Sequence, residues 1–600
     1  MILQELLFPN GDTCSTLEMY FHPREGEHAP WRDPELDALR LPQWSHLDLD
    51  TYFNSFSIGK WRKYTKLGNL SLSLELAGEV QVQLVHWEMI GNKKFRHVFA
   101  EHICHAGERG TFDFEIPMET AERGVVCCSL YALDQACALF GGAYETEIAT
   151  EQLNAVDIAV DICTFRREAF IERNLDLLNR EIIKNPDCEM YGHLDVFIAD
   201  NGKTLDIPRL QGERIHIVPN KNTGGSGGFA RGMMEIIDYA PVRAFTHVLV
   251  MDDDVLINPD ALLRNYRLLR LLKPEYAGKT IAGAMLRLDN RWKQHECCGN
   301  WNGRFVESGK RRLDLRKVEN VLKNEVEVPF DFNAWWYSCI PMSRISNDNL
   351  PMPMFIRMDD VEFGLRTGGD ILTLNGICLW HEPFAYKFTS SMDYYEIRNL
   401  MMMNAIHRPD VTWVKMSEQL LYRVLANLVR YRYKDCELVL RGVEDYLAGA
   451  EGLTRRDADA LHKEIMAASD KFVTLDELEL QFDEKTYRKN LKKNKSLLST
   501  VRLAFLNGLF LPPKGPTVVD AFLSPPWACY RRKALLNYNE LSGRGFVTRR
   551  SVLKSLSYLF RAIGLCFRLA TGYNAAGQTY REAHKVLTSR AFWDQYLELK

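Results

Sequence analysis

Three consecutive carboxylates, Asp252-Asp253-Asp254, follow directly on the apolar run His247-Val248-Leu249-Val250-Met251. Ionised groups at the end of a buried strand are costly unless a cation takes up their charge. Alternate residues of an extended chain share a face, so Asp252 and Asp254 can point the same way. Mg²⁺ and Mn²⁺ prefer such oxygen ligands and commonly bridge to substrate phosphates. His381 ends another apolar run, Ile377-Cys378-Leu379-Trp380, and is the candidate third ligand. The pair Asp359-Asp360 closes a third apolar stretch. Paired carboxylates push each other's pKa apart, which suits one of them to general-base work near neutral pH. The chemistry expected is a divalent ion on a diphosphate, with a spare carboxylate for proton transfer.

Two further stretches bear on this chemistry. In Asn222 to Gly232, Gly225, Gly227 and Ala230 satisfy the dinucleotide pattern G-x-G-x-x-A, so a nicotinamide oxidoreductase stands as an alternative. Against it, this turn follows the third predicted strand of its unit rather than the first, and no lysine completes a P-loop. In Asp331 to Cys339, Trp335-Trp336 offer flat faces on which a sugar ring can lie. Consecutive aromatics point apart, so at least one of the two has a packing role.

The elements that must position these residues change character along the chain. Up to about residue 150, Leu70 to Leu76, Val80 to Val85 and Thr111 to Ile116 alternate with period two, predicting half-buried antiparallel strands in a sandwich or jelly roll. Next come predicted strands at Ala155–Val160, Leu194–Ala199, Arg214–Val218 and the run to Met251, separated by helical stretches at Arg167–Lys184 and Arg231–Tyr239. Such alternation predicts an open α/β sheet whose ligands sit beyond the carboxyl ends of the strands. After about residue 400 the spacing is helical almost throughout, as in Ser417–Tyr433 and Asp457–Ala468, with proline breaks at Leu511–Pro516 and Ser524–Trp527.

Length and composition set the outer limits. Six hundred residues exceed one ordinary core, and 46% hydrophobic with 26% charged residues describes a folded chain. A formal net charge of −4 provides no global basic field for nucleic acid. The start Met1-Ile2-Leu3-Gln4-Glu5-Leu6-Leu7 lacks the pattern of a signal peptide, and no apolar run reaches the roughly eighteen residues of a membrane span. Fourteen cysteines occur without a Cys-x-x-Cys pair, which favours reduced thiols and a cytoplasmic location.

Taken in order, Thr164-Phe165-Arg166-Arg167, the Asn222–Gly232 turn, Asp252-Asp253-Asp254, Asn333-Ala334-Trp335-Trp336, Asp359-Asp360 and Trp380-His381 resemble the bacterial galactofuranosyltransferases of glycosyltransferase family two, in particular those that extend cell-wall galactan. The resemblance covers most of the chain. It implies a multidomain α/β fold: a jelly-roll-like β-sandwich over 1–150, a Rossmann-like GT-A domain over 151–400 and a helical carboxyl-terminal region over 401–600. The implied activity is inverting, metal-dependent transfer of galactofuranose from UDP-galactofuranose to an acceptor glycan hydroxyl, in surface polysaccharide synthesis. Phe165 and Arg167 then hold the uracil end, with Asp200, Asn222 and Asp253 helping to fix the nucleotide. Asp252, Asp254 and His381 bind Mn²⁺ or Mg²⁺. Trp335 and Trp336 shape the sugar pocket, Asp359 hydrogen-bonds a sugar, and Asp360 is the general base. Glu396 stands where the family carries a histidine, on the acceptor side.

Two other functions compete with this expectation. One is the same fold with another nucleotide sugar such as dTDP-rhamnose. The other is a carbohydrate-binding assembly protein with an inactive transferase site, against which the intact Asp252, Asp254, Asp360 and His381 argue. The resemblance also allows a homo-oligomer and a lipid-linked acceptor. Apolar and basic residues at helical spacing from Ser551 to Arg561 suit an interfacial helix at the inner face of the membrane, although packing within the helical region is the favoured reading. The basic run Arg488 to Lys495 reads in the same way as a solvated face before a lipid contact.

Overall fold

The computed structural model describes all residues except 25–29, 136, 384–388, 492–505, 523–524 and 600. The distal half of the basic run, Lys492 to Lys495, and Ser524 lie outside the described residues.

The alternating segments near the amino terminus form two antiparallel sheets. One contains six strands, among them Ser71–Ala77 between Ala138–Glu145 and Gly110–Glu115; the other contains five, with Glu79–Ile90 between Val125–Ala132 and Lys93–His105. Period two explains the burial: Leu72, Leu74 and Leu76 of one sheet and Val80, Val82 and Leu84 of the other are all buried in the hydrophobic core.

Central to the molecule is a nine-stranded mixed sheet. Its strands run in the order Ile215–Pro219, Leu194–Asp200, Ile158–Thr164, His247–Asp252, Ser338–Pro341, Thr280–Arg287, Ile371–His381 and Val255–Ile257, with Gln294–Glu296 pairing Thr280–Arg287. The first four are mutually parallel, and Ser338–Pro341 adds antiparallel to them. Three strands lie close to the predicted spans, but the first begins at Ile158 rather than Ala155. It also runs on past Val160 to Thr164, through Asp161, a carboxylate that interrupts the apolar run and yet is completely buried. Its burial holds the carboxyl well above the usual carboxylate range.

The glycine stretch also differs from expectation. Instead of a turn leading to a helix at Arg231, the helix runs from Gly224 to Tyr239 and contains the glycines. A Cβ at Gly228 would overlap Cys163 and one at Gly232 would overlap the Asp161 carboxylate, so these glycines let the helix lie directly on strand Ile158–Thr164. Gly227 of the G-x-G-x-x-A pattern instead faces Thr223 and Trp593, so the pattern lies within the helix rather than in a turn before it.

Beyond residue 400 the chain is helical, as expected, with helices at Trp413–Leu428, Tyr433–Leu447, Ala458–Ala468 and the 36-residue Val552–Leu587. The structure adds a four-stranded sheet, Val473–Thr474, Arg544–Arg549, Ala534–Asn539 and Thr517–Asp520, around the proline breaks. The boundary expected near 400 falls inside helix Met392–His407, whose Arg398 and Asn399 hydrogen-bond the segment Met354–Arg357. Among the described residues no helix is long and apolar enough to cross a membrane.

Candidate active site

Register within the central sheet gathers the predicted residues. Thr164 lies opposite Asp200, and Cys163 opposite Asp252, so three parallel strands end along one edge. Asp252 is the last residue of its strand; the chain turns at Asp253-Asp254 and returns as Val255–Ile257, with Val255 opposite His381. This pairing sets His381 Nε2 3.2 Å from Asp254 Oδ1 and 3.5 Å from Asp252 Oδ2. The three ligand atoms lie within 4.8 Å of one another. Arg167 Nη1, 3.0 Å from Asp254 Oδ2, offsets part of the negative charge. Thr164 Oγ1 donates to Asp253 Oδ2 at 2.7 Å.

These groups open onto a cleft of about 600 Å³. Asp359, Asp360, Trp335, Trp336 and Glu396 line it as well. Asp359 and Asp360 begin the helix Asp359–Thr367. The loop before that helix is strained: Phe355, Arg357 and Met358 all have positive φ, between 68° and 73°. Asn399 Nδ2 donates to the carbonyls of Ile356 and Arg357 at 2.9 and 2.8 Å, and Arg398 Nη2 donates to that of Met354 at 2.7 Å. Helix Met392–His407 thereby holds the loop in shape.

Electrostatics separates the acidic pair. Burial, and then the neighbouring Asp360, push the Asp359 carboxyl up to about 8. Burial raises Asp360 as well, only to about 6, because the Val361 amide and the Arg357 guanidinium favour its charged form. The two carboxyls are thus pushed apart, Asp359 holding its proton to higher pH than Asp360.

Other predicted residues are distributed as follows. Phe165 and Asn222 line an adjoining cavity of about 620 Å³ on the same strand edge, with Lys203, Lys221 and Asp459. Asn222 Nδ2 donates to Asp459 Oδ1 at 2.7 Å. Asp200 is buried and accepts from the amides of Gly202, Thr204 and Leu205, so its carboxylate shapes the loop after its strand. Trp336 Nε1 donates to the Gly283 carbonyl at 3.0 Å, while Trp335 packs edge-on against Phe229 and Phe363. Both rings have packing roles beside the faces they turn to the cleft. Glu396 pairs with Arg423 Nη1 at 2.9 Å.

The cleft also contains Glu296, Arg304, Phe305 and Arg423, which sequence reasoning missed. Glu296 ends an edge strand of only three residues and Phe305 stands in a short hairpin. Neither element has enough length for a periodic signal.

The chain is also similar to known proteins. Residues 3–134 match the family model described as galactofuranosyltransferase 2 N-terminal. Over 480 residues the chain is 25% identical to galactofuranosyltransferase GlfT2 of Mycolicibacterium smegmatis, covering 75% of this chain and 72% of that protein. Over 461 residues it is 27% identical to galactofuranosyltransferase GlfT2 of Mycobacterium tuberculosis, covering 71% and 68% respectively. The resemblance drawn from the motifs therefore extends along most of the chain, which is a glycosyltransferase similar to the galactofuranosyltransferases.

Proposed function

We propose that this enzyme transfers galactofuranose from UDP-galactofuranose to a hydroxyl of a growing cell-wall or surface glycan, by a single displacement that inverts the anomeric centre. The observation that carries the reading is the meeting of Asp252, Asp254 and His381 in a cleft whose wall bears Asp359 and Asp360. The names of the two mycobacterial relatives support the donor sugar. The strand order Ile215–Pro219, Leu194–Asp200, Ile158–Thr164, His247–Asp252, with acids at its edge, supports a GT-A core.

Two carboxylates and one imidazole within ligand distance of each other fit a divalent ion, and the imidazole favours Mn²⁺ over Mg²⁺. Asp252, Asp254 and His381 would hold it, and when bound it supplies positive charge to the diphosphate leaving group. Arg167 adds a second cation at the same point. The neighbouring cavity with Phe165 and Asn222 suits the uridine end of the donor. Ionised Asp360 takes the proton of the acceptor hydroxyl as its oxygen attacks, and protonated Asp359 donates to a sugar oxygen. Trp335 and Trp336 give the sugars flat apolar walls. Peripheral membrane contact belongs to the same reading: Leu553, Phe560 and Phe567 are exposed along the long helix, beside Lys554, Arg561 and Arg568, and suit a lipid-linked acceptor.

The deciding experiment is UDP release from UDP-galactofuranose, with a galactofuranosyl acceptor and Mn²⁺, for wild type and Asp360→Ala. Release that disappears in the variant and on chelation is expected. Turnover of dTDP-rhamnose in place of UDP-galactofuranose would refute the donor while leaving the site intact.

A further inference from the structure

A second cluster of titratable groups lies behind the catalytic helix. Glu362 is fully buried and follows Asp360 by two residues, a turn of about 200° around the helix. It therefore faces away from the cleft. Its Oε1 accepts from His407 Nε2 at 3.1 Å and from His584 Nε2 at 2.8 Å. Arg366, one helical turn on, donates from Nη2 to Oε2 at 3.0 Å, and from Nε to Oε1 at 3.0 Å. Arg366 also reaches Asn349 and the Leu350 carbonyl. The three partners come from three elements: Arg366 from the same helix, His407 from the end of Met392–His407, and His584 from the last turns of Val552–Leu587.

We propose that Glu362 is a positioning residue: clasped by His407 and His584, it latches the helix bearing Asp360 to the carboxyl-terminal helices and aims that carboxylate into the cleft. The inference rests on the base reading of Asp360 given above. One buried anion and one guanidinium already balance in charge, and the two imidazoles complete the hydrogen bonds. A divalent ion added among Glu362, His407 and His584 would leave excess positive charge next to Arg366, although their spacing would admit one. A buried carboxylate with this many partners restricts a helix strongly, whereas the loop before it is strained and would relax if released. Glu362 holds the helix from behind while Arg398 and Asn399 hold the loop ahead of it, and helix Met392–His407 supplies His407 as well.

The test uses His584→Ala, at a half-buried position outside the cleft, and His584→Gln, whose amide nitrogen can replace the lost donor. Amide hydrogen exchange in residues 359–367 is measured without substrate, alongside steady-state transfer. In His584→Ala, exchange should quicken by about tenfold, and kcat should fall about tenfold while the donor KM stays within about twofold. In His584→Gln both should return towards wild type. Unchanged exchange in His584→Ala, or faster exchange with unchanged kcat, would overturn the proposal. So would stoichiometric zinc in the purified wild type that His584→Ala loses. A wild type that transfers nothing refutes the base reading instead, and the exchange measurement separates that failure from failure of the latch.

Discussion

Asp359 and Asp360 are adjacent in sequence and alike in chemistry, but their surroundings push their carboxyls apart, to about 8 and about 6. Asp360→Asn keeps the shape and removes the basic oxygen, so kcat should drop by about 10² to 10⁴ while donor affinity, read by calorimetry, stays close to wild type. In the wild type, the acid limb of the kcat profile should lie at about 6, since the proposed base must be ionised to take a proton. A limb near the ordinary aspartate value would count against the role. Asp359 has the clearer consequence for stability. Its folded pKa is raised from 3.8 to about 8, so the folded state binds more protons than the unfolded state between these values. That stability is complete below pH 3.8 and is lost as pH rises towards about 8. Asp359→Asn should therefore gain in melting temperature relative to wild type as pH is raised from 5 to 9. A difference that stays flat across that range would show the carboxyl to be ionised throughout.

At the scale of elements, the helix Asp359–Thr367 follows a loop strained at Phe355, Arg357 and Met358. Gly224 has φ +73°, and a Cβ there would overlap the Phe355 carbonyl at the start of the strained stretch. Gly224→Ala should cost at least about 1–2 kcal/mol from the left-handed backbone alone, measured as a lower denaturant midpoint with unchanged slope. Asn399→Ala removes the amide that serves the Ile356 and Arg357 carbonyls, and is expected to cost about 2–3 kcal/mol. Its kcat should fall as the helix start loosens. The strands around the site were readable from their apolar runs, and the alternation of Leu72, Leu74 and Leu76 predicted the amino-terminal sheets. The glycine helix was misjudged because the feature that demands glycine, the buried Asp161 beneath Gly232, belongs to another strand. Glu296 and Phe305 escaped notice because the three-residue strand of the one and the short hairpin of the other are too short for any period to register.

On the scale of the whole molecule, the carboxyl-terminal helices supply part of the lining of the two cavities, Arg423 to one and Asp459 to the other. Lys221 pairs with Asp457 at 2.9 Å and Glu598 at 2.7 Å, and Asn222 is held by Asp459. Asp459→Ala should raise the donor KM several-fold with little change in kcat, because Asn222 loses its anchor and the reacting end does not; an unchanged KM would remove Asn222 from the donor site. The kinds of chemistry available were determined by sequence alone. Carboxylates after an apolar strand call for a cation, an acidic pair splits in pKa, and local period assigns strand or helix, since each depends on residue type and near neighbours. Which atoms meet was decided by the tertiary structure. His381 reaches Asp252 and Asp254 only through the antiparallel register of Val255–Ile257 with Ile371–His381. Glu362 meets His584, 222 residues away, only because the longest helix packs behind the catalytic one. Such pairings arise from strand register and helix packing between distant segments, and no local pattern in the chain encodes them.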